Sequence, residues 1–253
     1  MSRVTGERVS SADGGFNPTF RRHVAAYRAA ATLLPDASPV LDLGCGVGHS
    51  FGELAPRETV GVDLDPDVLA GQARETHAAD MRALPLAAGR FASVVSIQSL
   101  EHVPDPERVL DEVIRVLAPG GTAVFVTPNR LTFGSPDEIV DPFHHREYDA
   151  EELARLCRTR FEEVRVLGLA GSERYRALVA GEHARLDRLL ARDPLRARRL
   201  VPRRARQALY DTLLNRARRD PDPAAAAIDV NDFSLVEDGL DAALDLVAVC
   251  RRS

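Results

Sequence analysis

Short apolar runs that alternate with helical patterns constrain the fold of this chain more than any other feature of its sequence. Four such runs have the length of strands, and they cover residues 39–43, 58–63, 91–97 and 122–127. The stretches between them carry helical spacing or helix start signals, over residues 47–55, 66–74 and 106–117. Strands and helices in alternation form right-handed βαβ units, whose parallel sheet is covered on both faces. The pattern therefore predicts an α/β fold with a doubly wound sheet.

Further elements extend this prediction toward both ends of the chain. Helical spacing predicts a leading helix over residues 18–34 and a later helix over 150–160, which is followed by a strand at 164–169. A last apolar run at residues 244–250 predicts a closing strand. We expect a flexible N-terminus, a ligand-binding α/β domain, an Arg-rich helical insertion that caps it, and a final strand region. The bounds of these segments are 1–15, 16–171, 172–230 and 231–253.

The charge of the chain bears on its partners. A net charge of -5 argues against a nucleic-acid-binding protein. All 33 basic side chains are arginines, and twelve of them lie between Arg185 and Arg219 against three aspartates. We interpret this basic segment as a solvated helical face, and the alternative is a cap that binds an anion.

Apolar content and cysteines indicate where the protein resides. The first fifteen residues hold no apolar segment, and no later stretch approaches the roughly 20 apolar residues that span a bilayer. We therefore expect a cytoplasmic protein with no membrane partner. Cys45, Cys157 and Cys250 lie far apart and are odd in number, so we predict neither a disulfide framework nor a metal-spaced pair.

A glycine-rich turn follows the first predicted strand. Gly44, Gly46 and Gly48 alternate with other residues, and such bare backbone allows a ligand to approach closely. The dinucleotide fingerprint has the spacing GxGxxG, whereas this chain has GxGxG, which weakens an interpretation as a nicotinamide-binding protein. A turn with a purely structural role is the alternative.

Acidic residues follow the next strands. Asp63 ends the second predicted strand, where a carboxylate can accept hydrogen bonds from both hydroxyls of a ribose. Asp65, directly before Pro66, fits the role of a helix cap better than Asp63 does. Farther on, Asp80 can accept a hydrogen bond from an adenine amino group, and the N–H of Met81 can meet a ring nitrogen. Together these residues indicate a nucleoside site.

Five segments stand in order between residues 40 and 130. They read VLDLGCGVG, GVDLDPDVL, AADMRALPL, FASVVSIQSLEHVPDPERVLDEVIRVLAPGG and TAVFVTPNR. In order and spacing they resemble the class I S-adenosylmethionine-dependent methyltransferases, and FRRHVAAYRAA and DPFHHREYDAEELARL resemble parts of a bacterial small-molecule branch. The resemblance implies a Rossmann-like, doubly wound sheet of seven strands, mostly parallel with an antiparallel last strand. It also implies S-adenosylmethionine as the cofactor.

The resemblance further implies which residues contact this cofactor. Its methionine portion is expected to be surrounded by Asp42, Gly44, Gly46 and Gly48, with the carboxylate near the positive end of the helix after Gly48. The rest of the cofactor is expected at Asp63 for the ribose, Leu64 and Met81 beside the adenine, Asp80 at its amino group, and Gln98 beside the sulfonium. His23 and Tyr27 of the leading helix are expected to close over the methyl group, and packing of that helix onto the sheet is the alternative.

Three histidines are candidates for a general base. A histidine titrates near neutrality and can take a proton from a hydroxyl or an amine. His102 follows the fourth strand, where it can instead fix its own loop, and His144 and His145 lie in a later loop with Glu147 and Tyr148. No metal site is predicted, because the adjacent residues His144 and His145 of an extended loop point apart.

The residues after the fourth strand narrow the class of methyl acceptor. They read Ser96-Ile97-Gln98-Ser99, whereas a nucleic-acid amino methyltransferase is expected to have an Asn/Asp-Pro-Pro-aromatic tetrapeptide there. No cysteine lies nearby to serve pyrimidine C5 chemistry. We predict transfer to an O or N atom of a small molecule that is capped by residues 172–219. The alternatives are an RNA or protein methyltransferase, a NAD-binding oxidoreductase and a non-catalytic nucleoside-binding protein.

Overall fold

An eight-stranded sheet runs through residues 17–133, 143–190 and 223–253, which are the residues that the computed structural model describes. The strands are β1 (Val40–Leu43), β2 (Thr59–Asp63), β3 (Glu75–Ala78), β4 (Phe91–Ile97), β5 (Leu117–Pro128), β6 (Glu163–Gly171), β7 (Phe233–Val236) and β8 (Asp245–Arg251). Their order is β3-β2-β1-β4-β5-β8-β6-β7. The first five strands in this order are parallel, whereas β8 runs antiparallel to β5 and β6. The predicted α/β fold with a mostly parallel, Rossmann-like sheet and an antiparallel last strand is confirmed.

The sheet has one strand more than the seven predicted. Sequence patterns missed β3 and β7, the two edge strands. The residues of β3 are all exposed or half-buried, so this strand lacks the apolar run that marks a strand buried on both faces. Strand β7 has four residues and pairs only with β6 within the described part of the chain.

Helices cover both faces of this sheet. They are α1 (Asn17–Leu33), α2 (Pro66–Leu69), α3 (Pro106–Val116), α4 (Ala150–Arg158), α5 (Glu173–Leu190) and α6 (Pro223–Ala226). Helices α1, α3 and α4 lie where they were predicted. The helices predicted over residues 47–55 and 66–74 are wrong in length, since these stretches hold only the 3-10 helix Phe51–Leu54 and the single turn of α2. Gly48 (φ 69°) and Gly71 (φ 79°) have positive φ values, which a right-handed helix cannot include.

The sheet divides most of the core into two large apolar clusters, and a third, small cluster contains Cys45, Val68 and Leu69. Successive residues of β5 point to opposite faces, so Phe125 packs in the cluster beneath α3 and α4, whereas Val124 packs in the cluster beneath α1. Each fully buried side chain of this size stabilises the fold by about 1.5–3 kcal/mol. The two clusters therefore hold the parallel strands β1, β2 and β4 firmly, and their carboxyl ends meet at one edge of the sheet.

The described residues bear on several other expectations. Helix α5 confirms helical structure at the start of the predicted insertion. The predicted N-terminal segment 1–15 and the Arg-rich residues 191–222 lie outside the described residues, so the segment bounds stay predictions. Among the helices that the structure describes, none combines the length and the apolar character needed to cross a membrane. The three cysteines are buried and free.

Candidate functional site

The glycine-rich turn leaves the carboxyl end of β1 with three left-handed glycines. Gly44, Gly46 and Gly48 have φ values of 77°, 52° and 69°. A Cβ on Gly44 would lie 2.4 Å from the Oγ of Ser99, so this position has no room for a side chain. A Cβ on Gly46 would meet no described atom within 4 Å. The backbone of Gly46 therefore borders open space, as a turn that receives a ligand requires.

Two side chains from neighbouring elements brace this turn. The N–H of Gly46 donates to Oδ2 of Asp63 at 2.8 Å, and the N–H of Asp65 donates to Oδ1 of the same carboxylate at 3.0 Å. The side-chain amide of Gln72 donates to the carbonyl oxygen of Gly46 at 2.8 Å. Asp63 thus links the tip of β2 to the glycine turn. Sequence reasoning did not single out Gln72, and the glutamine carries no motif that could have identified it.

A cavity of about 410 Å³ opens at this edge of the sheet. Eight of the predicted site residues line it, and they are Gly44, Gly46, Asp63, Leu64, Asp80, Met81, Gln98 and His102. Five others are not part of the lining, and they are Tyr27, Asp42, Gly48, His144 and His145. The cavity wall also contains His23, His49, Val103 and Pro104. One continuous space therefore joins the glycine turn to the segment that follows β4.

One end of the cavity combines an apolar surface with carboxylates. Leu64 is 72% exposed, which is unusual for a leucine and leaves its side chain available to an apolar ring. Asp80 forms an ion pair with Arg82 at 2.6 Å, and this hydrogen-bonded arginine lowers the pKa of the Asp80 carboxyl. Asp80 is therefore a carboxylate at neutral pH, as the predicted hydrogen bond from an amino group requires.

Asp42 and Tyr27 lie beneath the glycine turn and do not reach the cavity. The Tyr27 hydroxyl donates to Oδ1 of Asp42 at 2.8 Å, and Arg74 forms an ion pair with Oδ2 at 2.8 Å. Burial raises the pKa of Asp42, and the positive charge of Arg74 opposes that rise. Tyr27, Asp42 and Arg74 thus form a buried network that supports the turn, and the contacts of Tyr27 and Asp42 with the cofactor stay predictions. The predicted packing of the leading helix onto the sheet is the arrangement found for Tyr27.

A second buried network positions Gln98. This residue has a φ of 50°, and its Nε2 donates to Oδ1 of Asp245 at 3.1 Å. Arg22 of α1 donates to both oxygens of Asp245, at 2.6 and 2.7 Å. Because a carboxylate only accepts hydrogen bonds, the amide nitrogen of Gln98 must face Asp245. The side-chain carbonyl oxygen of Gln98 therefore faces away from Asp245. No pattern in the sequence of β8 identified Asp245 as the residue that orients Gln98.

His23 of α1 stacks on His49 at the cavity wall. Their ring centroids are 4.8 Å apart, with an angle of 21° between the planes. Burial lowers the pKa of His23 to about 3, with a further contribution from His49, and it lowers the pKa of His49 to about 4. Both imidazoles are therefore neutral at physiological pH. His23 was expected at this place, whereas His49 was missed although it directly follows the last glycine of the turn.

The three candidate bases occupy different environments. His102 lines the cavity, and its Nδ1 lies 3.3 Å from the carbonyl oxygen of Phe143. His144 is buried behind it, with Nδ1 at 2.8 Å from Glu147, whereas His145 is exposed. The expectation that His144 and His145 point apart is met. Glu147 and Tyr148 of the same loop are buried, and neither lines the cavity.

Comparisons of the whole sequence with known proteins agree with this geometry. The family described as Methyltransferase domain matches residues 41–125. A "Probable S-adenosylmethionine-dependent methyltransferase" of Mycolicibacterium smegmatis is 33% identical in an alignment of 267 positions. This alignment covers 98% of this chain and 95% of that one. A tocopherol O-methyltransferase of Arabidopsis thaliana is 32% identical over 134 residues, which cover 47% of this chain and 37% of that one.

Solved structures share the same fold. A SAM-dependent methyltransferase of Thermotoga maritima, described as a possible histamine N-methyltransferase, superimposes with a TM-score of 0.62 at 16% identity. The superposition covers 94% of this chain and 93% of that one. At this level of identity the likeness concerns the fold, and the substrate of that protein carries no weight for this chain.

Proposed function

Because this chain belongs to the S-adenosylmethionine-dependent methyltransferases, we propose that it transfers the methyl group of that cofactor to an oxygen or nitrogen atom of a small molecule. The observation that carries the proposal is the single cavity that joins the glycine turn and Asp63 to His102, Val103 and Pro104. Its volume of about 410 Å³ lies within the range of small-molecule sites. A nucleoside cofactor and a compact acceptor can share such a space, with the reacting atoms in one enclosure.

The residues of the cavity fit S-adenosylmethionine. Gly46 borders open space, where a Cβ would protrude, and it can accommodate the methionine portion of the cofactor. Each oxygen of Asp63 accepts one backbone N–H and has a further lone pair, so the carboxylate can accept both ribose hydroxyls. The exposed side chain of Leu64 and the neighbouring Met81 can enclose the adenine, whose amino group would donate to Asp80.

Gln98 supplies an oriented dipole between the two ends of the cavity. Its amide nitrogen is held by Asp245, so we assign its carbonyl oxygen to the side of the cavity where the sulfonium lies. A partial negative charge there favours the positively charged cofactor over its neutral product. Replacement Asp245→Asn would let the amide turn over, and we expect a smaller ratio of S-adenosylmethionine affinity to S-adenosylhomocysteine affinity. An unchanged ratio in calorimetric titrations would remove this role from Gln98.

The chemistry needs alignment more than it needs a strong base. When bound, the cofactor would supply a methyl group activated by its sulfonium. The acceptor atom would bond to the methyl carbon in line with the carbon–sulfur bond, which breaks as S-adenosylhomocysteine leaves. Positioning of the reactants can contribute about 7–11 kcal/mol to such a step, whereas proton transfer adds about 10²–10⁴-fold. His102 is the predicted catalytic residue that lines the cavity, and we place it at the acceptor. His145 is exposed outside the cavity, so we assign it no part in the reaction.

Two observations support a small-molecule acceptor over a macromolecule. The chain carries a net charge of -5, which opposes the approach of an RNA backbone. The relative from Arabidopsis thaliana that aligns with part of this chain is named for methyl transfer to an oxygen of tocopherol. An oxygen acceptor is therefore the first class to test.

The test is methyl transfer from isotopically labelled S-adenosylmethionine to a panel of phenols, catechols, carboxylates and amines. The proposal predicts label in at least one of these products and none in added RNA or protein. His102→Gln should lower kcat for the active compound, whereas His77→Gln, at a half-buried position of β3 outside the cavity wall, serves as a matched control. Label in RNA or protein, with the whole small-molecule panel unlabelled, would overturn the proposal.

A further inference from the structure

We propose that Glu101, His102 and His144 bind a divalent transition-metal cation at the acceptor end of the cavity. The cation would hold an oxygen atom of the methyl acceptor, so the inference narrows the acceptor class and in this respect rests on the proposed function. The residues themselves were not grouped by sequence reasoning, which considered His144 with His145 and predicted no metal. The sequence analysis did not select Glu101 as a candidate ligand, although it directly precedes His102.

The fold brings these three side chains together from two segments. Glu101 and His102 belong to the 3-10 helix Leu100–His102, which follows β4. His144 lies in the segment that returns to this helix, where the N–H groups of His145 and Arg146 donate to the carbonyl oxygen of Glu101 at 2.8 and 3.2 Å. One ligand atom from each of the three residues lies within 4.8 Å of the others.

Both histidines have their ring orientation set by an acceptor on Nδ1. His102 has its Nδ1 3.3 Å from the carbonyl oxygen of Phe143, and His144 has its Nδ1 2.8 Å from the carboxylate of Glu147. Carbonyl and carboxylate oxygens only accept hydrogen bonds, so these contacts place a proton on Nδ1 of each ring. Nε2 is then the nitrogen that would coordinate a cation. A carboxylate behind a histidine is also the usual partner of a metal-binding imidazole.

The ligand set and its burial fit zinc or a similar cation. Two imidazoles and one carboxylate with a remaining open position are typical of catalytic zinc sites, whereas Mg²⁺ and Ca²⁺ prefer oxygen ligands. Glu101 is 1% and His144 is 7% exposed, so a bound cation would be shielded from bulk water. The ligand atoms of a tetrahedral zinc site lie about 3.4 Å apart, whereas those of Glu101, His102 and His144 lie within 4.8 Å of one another. Binding therefore requires the side chains to move by about 1 Å toward a common centre.

The position of His102 defines the function of this site. Of the three ligands, His102 lines the cavity, so the open coordination position faces the space assigned to the acceptor. An acceptor hydroxyl bound there through its oxygen has a lowered pKa and releases its proton to water. The oxygen lone pair then forms a bond to the methyl carbon, as the carbon–sulfur bond breaks and its electron pair stays on sulfur. This favours acceptors with a metal-binding oxygen, such as phenols, catechols and carboxylates.

The first test measures metal binding alone, on tag-free full-length protein that has been treated with a chelator. Calorimetric titration with ZnCl₂ should give one equivalent, and Co²⁺ should give the intense visible absorption of a four-coordinate site. Glu101→Gln, His102→Gln and His144→Gln should each abolish the cobalt spectrum. Glu147→Gln, which replaces the carboxylate behind Nδ1 of His144 by a neutral amide, should weaken binding about 10- to 100-fold. His145→Gln is the matched control from the same loop and should bind as the wild-type protein does.

Binding of S-adenosylhomocysteine by each variant shows that it is folded. The site is overturned if the wild-type protein gives no four-coordinate cobalt spectrum, or if His145→Gln loses that spectrum as His144→Gln does. These results do not depend on methyl transfer. Metal binding without transfer to any acceptor would contradict the proposed function alone. Transfer that persists with chelator and in His144→Gln would contradict only the proposal that the cation holds the acceptor.

Discussion

Replacement of Asp63 by alanine offers the most direct quantitative test of the cofactor site. Oδ1 and Oδ2 of Asp63 each accept one backbone N–H, from Asp65 and Gly46, and each retains one lone pair for a ribose hydroxyl. A hydrogen bond to a charged group contributes about 1.5–3 kcal/mol. Two bonds that share one carboxylate contribute less than twice this value, because the ribose hydroxyls of the bound cofactor can be partly rehydrated in the variant. We therefore expect a loss of about 1.5–3 kcal/mol.

This loss corresponds to a cofactor affinity about 10- to 150-fold weaker. The assay is calorimetric titration of Asp63→Ala with S-adenosylhomocysteine, together with thermal unfolding to show that the fold is intact. Asp67→Ala removes the same charge from an exposed residue of α2 outside the cavity wall, so its affinity should stay within about twofold of the wild-type value. The reasoning is refuted if Asp63→Ala binds as the wild-type protein does, or if both variants lose affinity equally.

Three further substitutions test the surroundings of the cofactor. Tyr27→Phe removes the hydroxyl that donates to the buried Asp42, so the free energy of unfolding in denaturant titrations should fall by about 1–3 kcal/mol, and an unchanged value would contradict the network. His23 and His49 have lowered pKa values in the folded protein, so in acid these imidazoles gain protons in the unfolded chain before they do so in the folded one. The free energy of unfolding should therefore fall as the pH drops from about 6.5 toward 4. His23→Phe should flatten that dependence in unfolding curves recorded across this range, and equal slopes would refute it. Gly44→Ala places a Cβ 2.4 Å from the Oγ of Ser99, at a residue whose φ is positive. We therefore expect a lower melting temperature and loss of cofactor binding in calorimetric titrations. A wild-type melting temperature and affinity would contradict the close packing of this turn.

Much of the candidate site could be predicted from the sequence, because its residues lie directly after strands. Gly44, Gly46 and Asp63 follow or end apolar strands, Asp80 and Met81 follow the next strand, and parallel strands bring such ends to one edge. These five residues line the cavity, whereas Gly48 does not. Asp42 shows the limit of this reasoning. The resemblance implied that Asp42 contacts the cofactor, whereas the sequence did not indicate that its carboxylate accepts a hydrogen bond from Tyr27 and pairs with Arg74.

Contacts between distant segments could not be predicted in the same way. Asp245 orients Gln98 from a strand 147 residues later, and no motif marks it. The lengths of the helices predicted over residues 47–55 and 66–74 were also overestimated. Gly48 has a positive φ and lies before the 3-10 helix Phe51–Leu54, and Gly71 has a positive φ just beyond the end of α2. Sequence spacing predicts a helix but not the backbone conformation that each glycine adopts.

The sequence by itself determined the strand and helix alternation, the glycine turn and most of the residues proposed to contact a nucleoside, since each depends on neighbours along the chain. Only the tertiary structure decided which polar residues are buried together. Glu101 and His102 meet His144 because a returning segment donates two backbone hydrogen bonds to the Glu101 carbonyl. Such a cluster depends on the path of the chain between its members, and side-chain chemistry alone carries no information about that path.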